Sequence, residues 1–208
     1  MSSESIQLSA FPEELLERVL APCVLAGPER SASSRSLWHQ HVAGSTPAAT
    51  RGRLAPLLVC RLFRRIATPL FYHTIRLDSA EDLHALLAHA IRPYPFLASH
   101  IKHIHLGGIW AEGGELLSLC GSQLRLLDVS LDATLLCPAL VGNVRDFDAE
   151  EFCEPLKDLT GLTDFVLAKP GSVYLTQPKA RYVLAEIARA MMNWNQLVRL
   201  PFLLFLRH

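Results

Sequence analysis

The sequence predicts a mixed fold, α+β/α/β in class: a small helical module over residues 10–71, then an α/β region over 72–208 with parallel strands. Three observations carry that prediction. Two stretches near the N-terminus have helical spacing of apolar residues, a short phrase of alternating aliphatic side chains then occurs five times, and helix-like segments fall between its occurrences.

The first element starts at Phe11-Pro12-Glu13-Glu14. Proline at the first helical position gives up no needed hydrogen bond, and two glutamates in the first turn suit the positive end of the helix dipole. Leu15, Leu16, Val19, Leu20 and Cys23 follow as an apolar stripe, with Glu14 and Arg18 four apart on the other face. From about residue 27 to 52 small and polar residues dominate without periodicity, which predicts a flexible insertion too poor in apolar surface to offset its ordering entropy. Helical spacing resumes from Leu54, with Leu58, Val59, Leu62, Phe63, Ile66, Ala67 and Leu70 on one face and Arg61, Arg64 and Arg65 on the other. Pro69 disfavours helix at Thr68, so the helix is expected to end there.

The recurring phrase opens at Tyr72-x-x-Ile75-x-Leu77 and returns as Ile101-x-x-Ile104-x-Leu106, Leu124-x-x-Leu127-x-Val129, Leu162-x-x-Phe165-x-Leu167 and Leu197-x-x-Leu200-x-Phe202. Its starts step by 29, 23, 38 and 35 residues. Each copy reads as a short strand with alternate residues inward, and repetition at such intervals implies units that bury their apolar faces on one another. Ser79, with Asp82 three residues on, predicts a capped helix carrying Leu83, Leu86, Leu87 and Ile91. Ala180, Val183, Leu184, Ile187, Ala188 and Met191 predict another. Gly107-Gly108 and Gly113-Gly114, around Trp110, fit a strand-to-helix turn. The apolar end at Phe202-Leu-Leu-Phe-Leu implies either a covering partner or a C-terminally truncated chain.

Composition narrows the function. Half of the 208 residues are hydrophobic and the formal net charge is zero, so no global field favours nucleic acid or an anionic membrane. Five cysteines, at 23, 60, 120, 137 and 153, form no CxxC pair, which implies neither a disulfide framework nor a zinc cluster. No signal peptide is expected at the N-terminus and no apolar run is long enough to span a bilayer, so the expected compartment is the cytosol or nucleus.

The first helix together with Leu57-Leu-Val-Cys-Arg-Leu-Phe-Arg-Arg-Ile-Ala resembles the F-box, over residues 11–26 and 54–71, and each recurring phrase has the form of a leucine-rich repeat core. The arrangement is similar to fungal F-box proteins that carry leucine-rich repeats. The resemblance implies a small helical F-box-like module followed by a short, irregular leucine-rich-repeat-like α/β solenoid. It implies that Pro12, Leu15, Leu16, Val19, Leu58, Val59 and Phe63 supply the module and its contact with a Skp-family adaptor. That adaptor links to a cullin-based ubiquitin ligase, and the repeat region would recruit an unknown protein target.

The remaining candidates weigh against chemistry. His103 and His105 share one face of a strand and, with Asp128 on the next, are expected to face a target. His39-x-His41 has no carboxylate or cysteine beside it and predicts no metal site. The arginines at 51, 53, 61, 64, 65 and 76 read as a solvated face without a nucleic-acid motif. The acidic stretch from Asp146 to Asp158 reads as a loop entering a helix, with recognition of a basic target as the alternative. No nucleophile elbow, HExxH or paired-carboxylate set occurs, so neither an enzyme nor a cofactor is expected. A stand-alone repeat scaffold, with its N-terminal helices reduced to a structural cap, is the rival reading. It requires Leu15 and Leu16 both to be buried within the chain.

Overall fold

The computed structural model describes residues 11–25, 47–131, 146–169, 177–199 and 202–204. His39, His41, most of the expected insertion, Cys137, Leu200 and the last four residues lie outside them. The chain divides into two compact units, residues 1–74 and 75–208.

In the first unit three helices pack together: α1 (Glu13–Val24), α2 (Pro47–Val59) and α3 (Arg61–Tyr72). Pro12 sits one place earlier than expected, at the cap of α1, where its carbonyl accepts from the Leu15 and Leu16 amides at 3.1 and 3.3 Å. The insertion ends sooner than the sequence implied, since residues 47–52 are already helical. The single later helix is two, broken at Cys60, whose backbone is extended (φ −158°, ψ 171°) and whose Sγ accepts from the Phe63 amide at 3.4 Å.

Pro69 does not end α3, which runs on to Tyr72. The ring removes one hydrogen bond near the last turn, a cost of about 3 kcal/mol. Against it, Leu70 and Phe71 are half-buried on the core of Leu20, Val24 and Ala67, each contributing part of the about 1.5–3 kcal/mol that full burial would give. Thr68 Oγ1 also donates to the Arg64 carbonyl at 2.7 Å.

The arginines are more than a solvated face. Arg53 Nε donates to the Val24 carbonyl at 2.8 Å, satisfying an orphan acceptor at the end of α1, and its guanidinium lies 5.3 Å from the Phe71 ring centroid. Arg64 Nε donates to the Leu57 carbonyl at 3.3 Å, and Arg65 pairs with Glu13 across α3 and α1.

The second unit alternates strand and helix: β1 (Thr74–Leu77), α4 (Ala80–Leu86), β2 (His103–Leu106), α5 (Ala111–Cys120), β3 (Leu126–Ser130), α6 (Phe147–Cys153), β4 (Asp164–Lys169), α7 (Pro178–Met191) and β5 (Phe202–Leu204). The strands lie in the sheet in chain order, and the β2–β3, β3–β4 and β4–β5 pairs are parallel. The recurring phrase falls in register: Ile104 beside Leu127 beside Phe165, and Leu106 beside Val129 beside Leu167 beside Phe202. Its opening residues Ile101, Leu124 and Leu162 are all fully buried.

The backbone repeats as well. The Lys102 carbonyl accepts from the Arg125 and Leu126 amides at 2.8 and 3.0 Å, and the Arg125 carbonyl from Thr163 and Asp164 at the same distances. The Thr163 carbonyl then accepts from Val198 and Arg199 at 2.8 and 3.1 Å. One aliphatic phrase therefore produces one strand entry, three times over.

Ser79 caps α4 as the sequence implies: its Oγ accepts from the Asp82 amide at 3.1 Å and donates to the Asp82 carboxylate at 3.0 Å. A π-helical turn, Leu87–Ile91, follows, and Leu83, Leu87 and Ile91 are fully buried. Arg92 then forks onto Glu115 of α5 at 2.9 and 2.7 Å and reaches Glu112 at 3.2 Å. The Arg92 hydrogen bonds hold the Glu115 carboxyl below its ordinary pKa. In α7 the buried face is Ala180, Val183, Ile187 and Ala190, so Ala190 takes the place expected for Ala188, which is exposed. Trp194 closes that end, its Nε1–H donating to the Leu156 carbonyl at 2.8 Å and its ring 5.0 Å from that of Phe165.

Gly113 and Gly114 lie within α5 rather than in the turn before it, and they let α6 approach closely. A Cβ on Gly114 would stand 2.1 Å from the Glu151 carbonyl oxygen. Gly161 is as constrained, with the Ser122 carbonyl oxygen 1.9 Å from where its Cβ would be. Among the described residues no helix is long and apolar enough to cross a membrane.

The close approach sets a prediction. Gly114→Ala is expected to destabilise the second unit by about 1–3 kcal/mol. Gly52→Ala, in α2 with nothing within 4 Å of the added methyl, is expected to stabilise the first by about 0.5–1 kcal/mol. Urea unfolding of the two variants measures both, and a Gly114→Ala midpoint at or above that of the parent would refute the packing account.

Candidate interaction surfaces

The apolar stripe of α1 is wider than the core it covers. Leu16, Leu20 and Val24 turn inward and are buried, whereas Leu15 and Val19 remain 47% and 66% exposed. On α2, Leu58 and Val59 are likewise 77% and 63% exposed. Phe11, Leu15, Leu16, Arg18 and Val19 line an open cleft of about 500 Å³.

The implied adaptor residues therefore divide. Pro12, Leu15, Val19, Leu58 and Val59 are at the surface, while Leu16 is interior. Phe63 is half-buried and packs on the Leu20, Val24 and Ala67 cluster. Phe11 was not singled out by periodicity because it precedes the helix. Its signal was a large aromatic next to the capping proline.

In the second unit, alternation puts Ile104, Leu106, Leu127 and Val129 on the face toward the helices, as the 3.9 Å approach of Leu106 Cδ1 to the Cβ position of Gly113 shows for α5. His103, His105 and Asp128 take the other face, on β2 and β3. His105 and Asp128 are register partners, and the His105 Nδ1 to Asp128 Oδ2 hydrogen bond is 3.1 Å. The histidines are half-buried, but Asp128 is only 8% exposed, which corrects its expected role as a direct target contact. Its second oxygen, Oδ1, is buried with no hydrogen-bond partner among the described residues.

The acidic stretch supplies a third feature. Asp146 caps α6, accepting from the Ala149 amide at 3.1 Å, and pairs with Lys179 at 3.1 Å. Glu150 and Glu154, together with Lys157, Tyr182, Glu186 and Arg189, line a cleft of about 510 Å³ beside α6 and α7. Cys153 borders it, and burial pushes that thiol up to about 12, as it does Cys120. Neither sulfur is poised as a nucleophile. Among the described residues no group of three or more His, Cys, Asp or Glu side chains is placed to hold a metal ion.

Compared with known proteins, the chain matches no family model, and neither a curated protein nor a solved structure shows significant similarity to it.

Two predictions follow from these environments. His105→Ala strips a buried carboxylate of its one hydrogen-bond partner among the described residues and is expected to cost about 1–3 kcal/mol. A double-mutant cycle with Asp128→Ala should show coupling of at least about 0.5 kcal/mol by urea unfolding, and strictly additive effects would contradict the pairing. For the thiols, the folded state keeps protons at Cys120 and Cys153 that the unfolded chain loses from about pH 9 upward. Stability should therefore fall between about pH 9 and 12, at up to about 1.4 kcal/mol per pH unit for each thiol. Replacing both cysteines with alanine should flatten that limb of the stability profile, and an unchanged slope would show that other groups cause it.

Proposed function

We propose that the chain is an F-box-like substrate-recruiting adaptor of an SCF-type ubiquitin ligase. In this reading the N-terminal helices dock on a Skp-family adaptor that connects to the cullin scaffold. The second unit is a short, irregular leucine-rich-repeat-like solenoid that holds a protein target, with His103 and His105 on its recruiting face. The chain itself performs no chemistry, and it works in the cytosol or nucleus without contacting nucleic acid or membrane.

The observation that carries the reading is the surplus of apolar surface on a small module. Leu15, Val19, Leu58 and Val59 remain exposed after the three helices have packed, and these residues coincide with positions the F-box resemblance assigns to the adaptor contact. An amphipathic helix laid in a partner's groove is a common way to bury such a surplus. The rival reading, a stand-alone repeat scaffold with no ligase role, needs both leucines interior. Leu16 satisfies it and Leu15 does not.

The burial pattern also selects the test. Leu16→Asp would place a charge in the core and unfold the unit, so loss of binding by that variant would be uninformative. Leu15→Asp and Val19→Asp alter only exposed side chains and should leave thermal unfolding within about 0.5 kcal/mol of the parent. The intact protein is expected to capture a purified Skp-family adaptor in a pull-down, and each variant should weaken binding at least about tenfold, the equivalent of about 1.4 kcal/mol. No capture by the intact protein, or capture indifferent to both substitutions, would remove the ligase reading and leave the scaffold.

A further inference from the structure

We draw no further inference here: the strongest candidate, the His105–Asp128 pair on the face of β2 and β3 away from the helices, leaves Asp128 Oδ1 without a partner among the described residues, but that oxygen is closed to solvent and nothing in the structure shows which group meets it.

Discussion

The second unit depends on one constraint: phrases of the same spacing must stack in register, because a strand's side chains change face with every residue. A slip of one place between β3 and β4 would turn Phe165 and Leu167 out of the core and bring Asp164 and Val166 in. The observed register avoids this at every described pair, setting Ile104 beside Leu127 beside Phe165. The backbone enforces the same alignment, with the carbonyls of Lys102, Arg125 and Thr163 each receiving two amides from the segment that leads into the next strand. Loops of unequal length are tolerated because closure entropy grows only logarithmically, so starts that step by 23 and by 38 residues still enter one sheet.

The first unit obeys a different balance. Three short helices, each with an internal proline, close over a core centred on Leu20, Val24 and Ala67. Such a core is too small to use all the apolar side chains the sequence supplies. Arginines tie the helices at both ends of α1, Arg53 at its end and Arg65 at its start, while Leu15, Val19, Leu58 and Val59 stay at the surface. This exposed apolar surface is the physical basis of the proposed adaptor reading.

Most of the strand and helix order was legible in the sequence because it rests on periodicity. The five phrases, the Ser79 cap and the α7 stripe are local patterns that tertiary packing then uses. What was not legible came from competition between local rules and packing. Pro69 should stop a helix, yet Leu70 and Phe71 have a core to reach, so α3 continues. Gly113 and Gly114 look like turn residues, but their value lies in the Glu151 backbone and the Phe152 side chain, neighbours distant in sequence. The candidate site was legible to the same degree. Periodicity named Leu15 and Leu16 together, and only the packed helices separate the one that faces solvent from the one that faces inward. Asp128 read as a surface partner of the histidines because alternation gives the face a side chain takes and not what covers it.

Amide hydrogen exchange in the second unit tests the stacking most directly. The amides of Arg125, Leu126, Thr163, Asp164, Val198 and Arg199 all bond to carbonyls at the entry to the preceding strand, so they should exchange slowly and as one class. Their free energy of opening should match that of unfolding the unit as a whole. Fast exchange at Thr163 and Asp164 while Arg125 and Leu126 stay protected would mean that the phrases do not form one continuous ladder, and the account of this fold would fail with it.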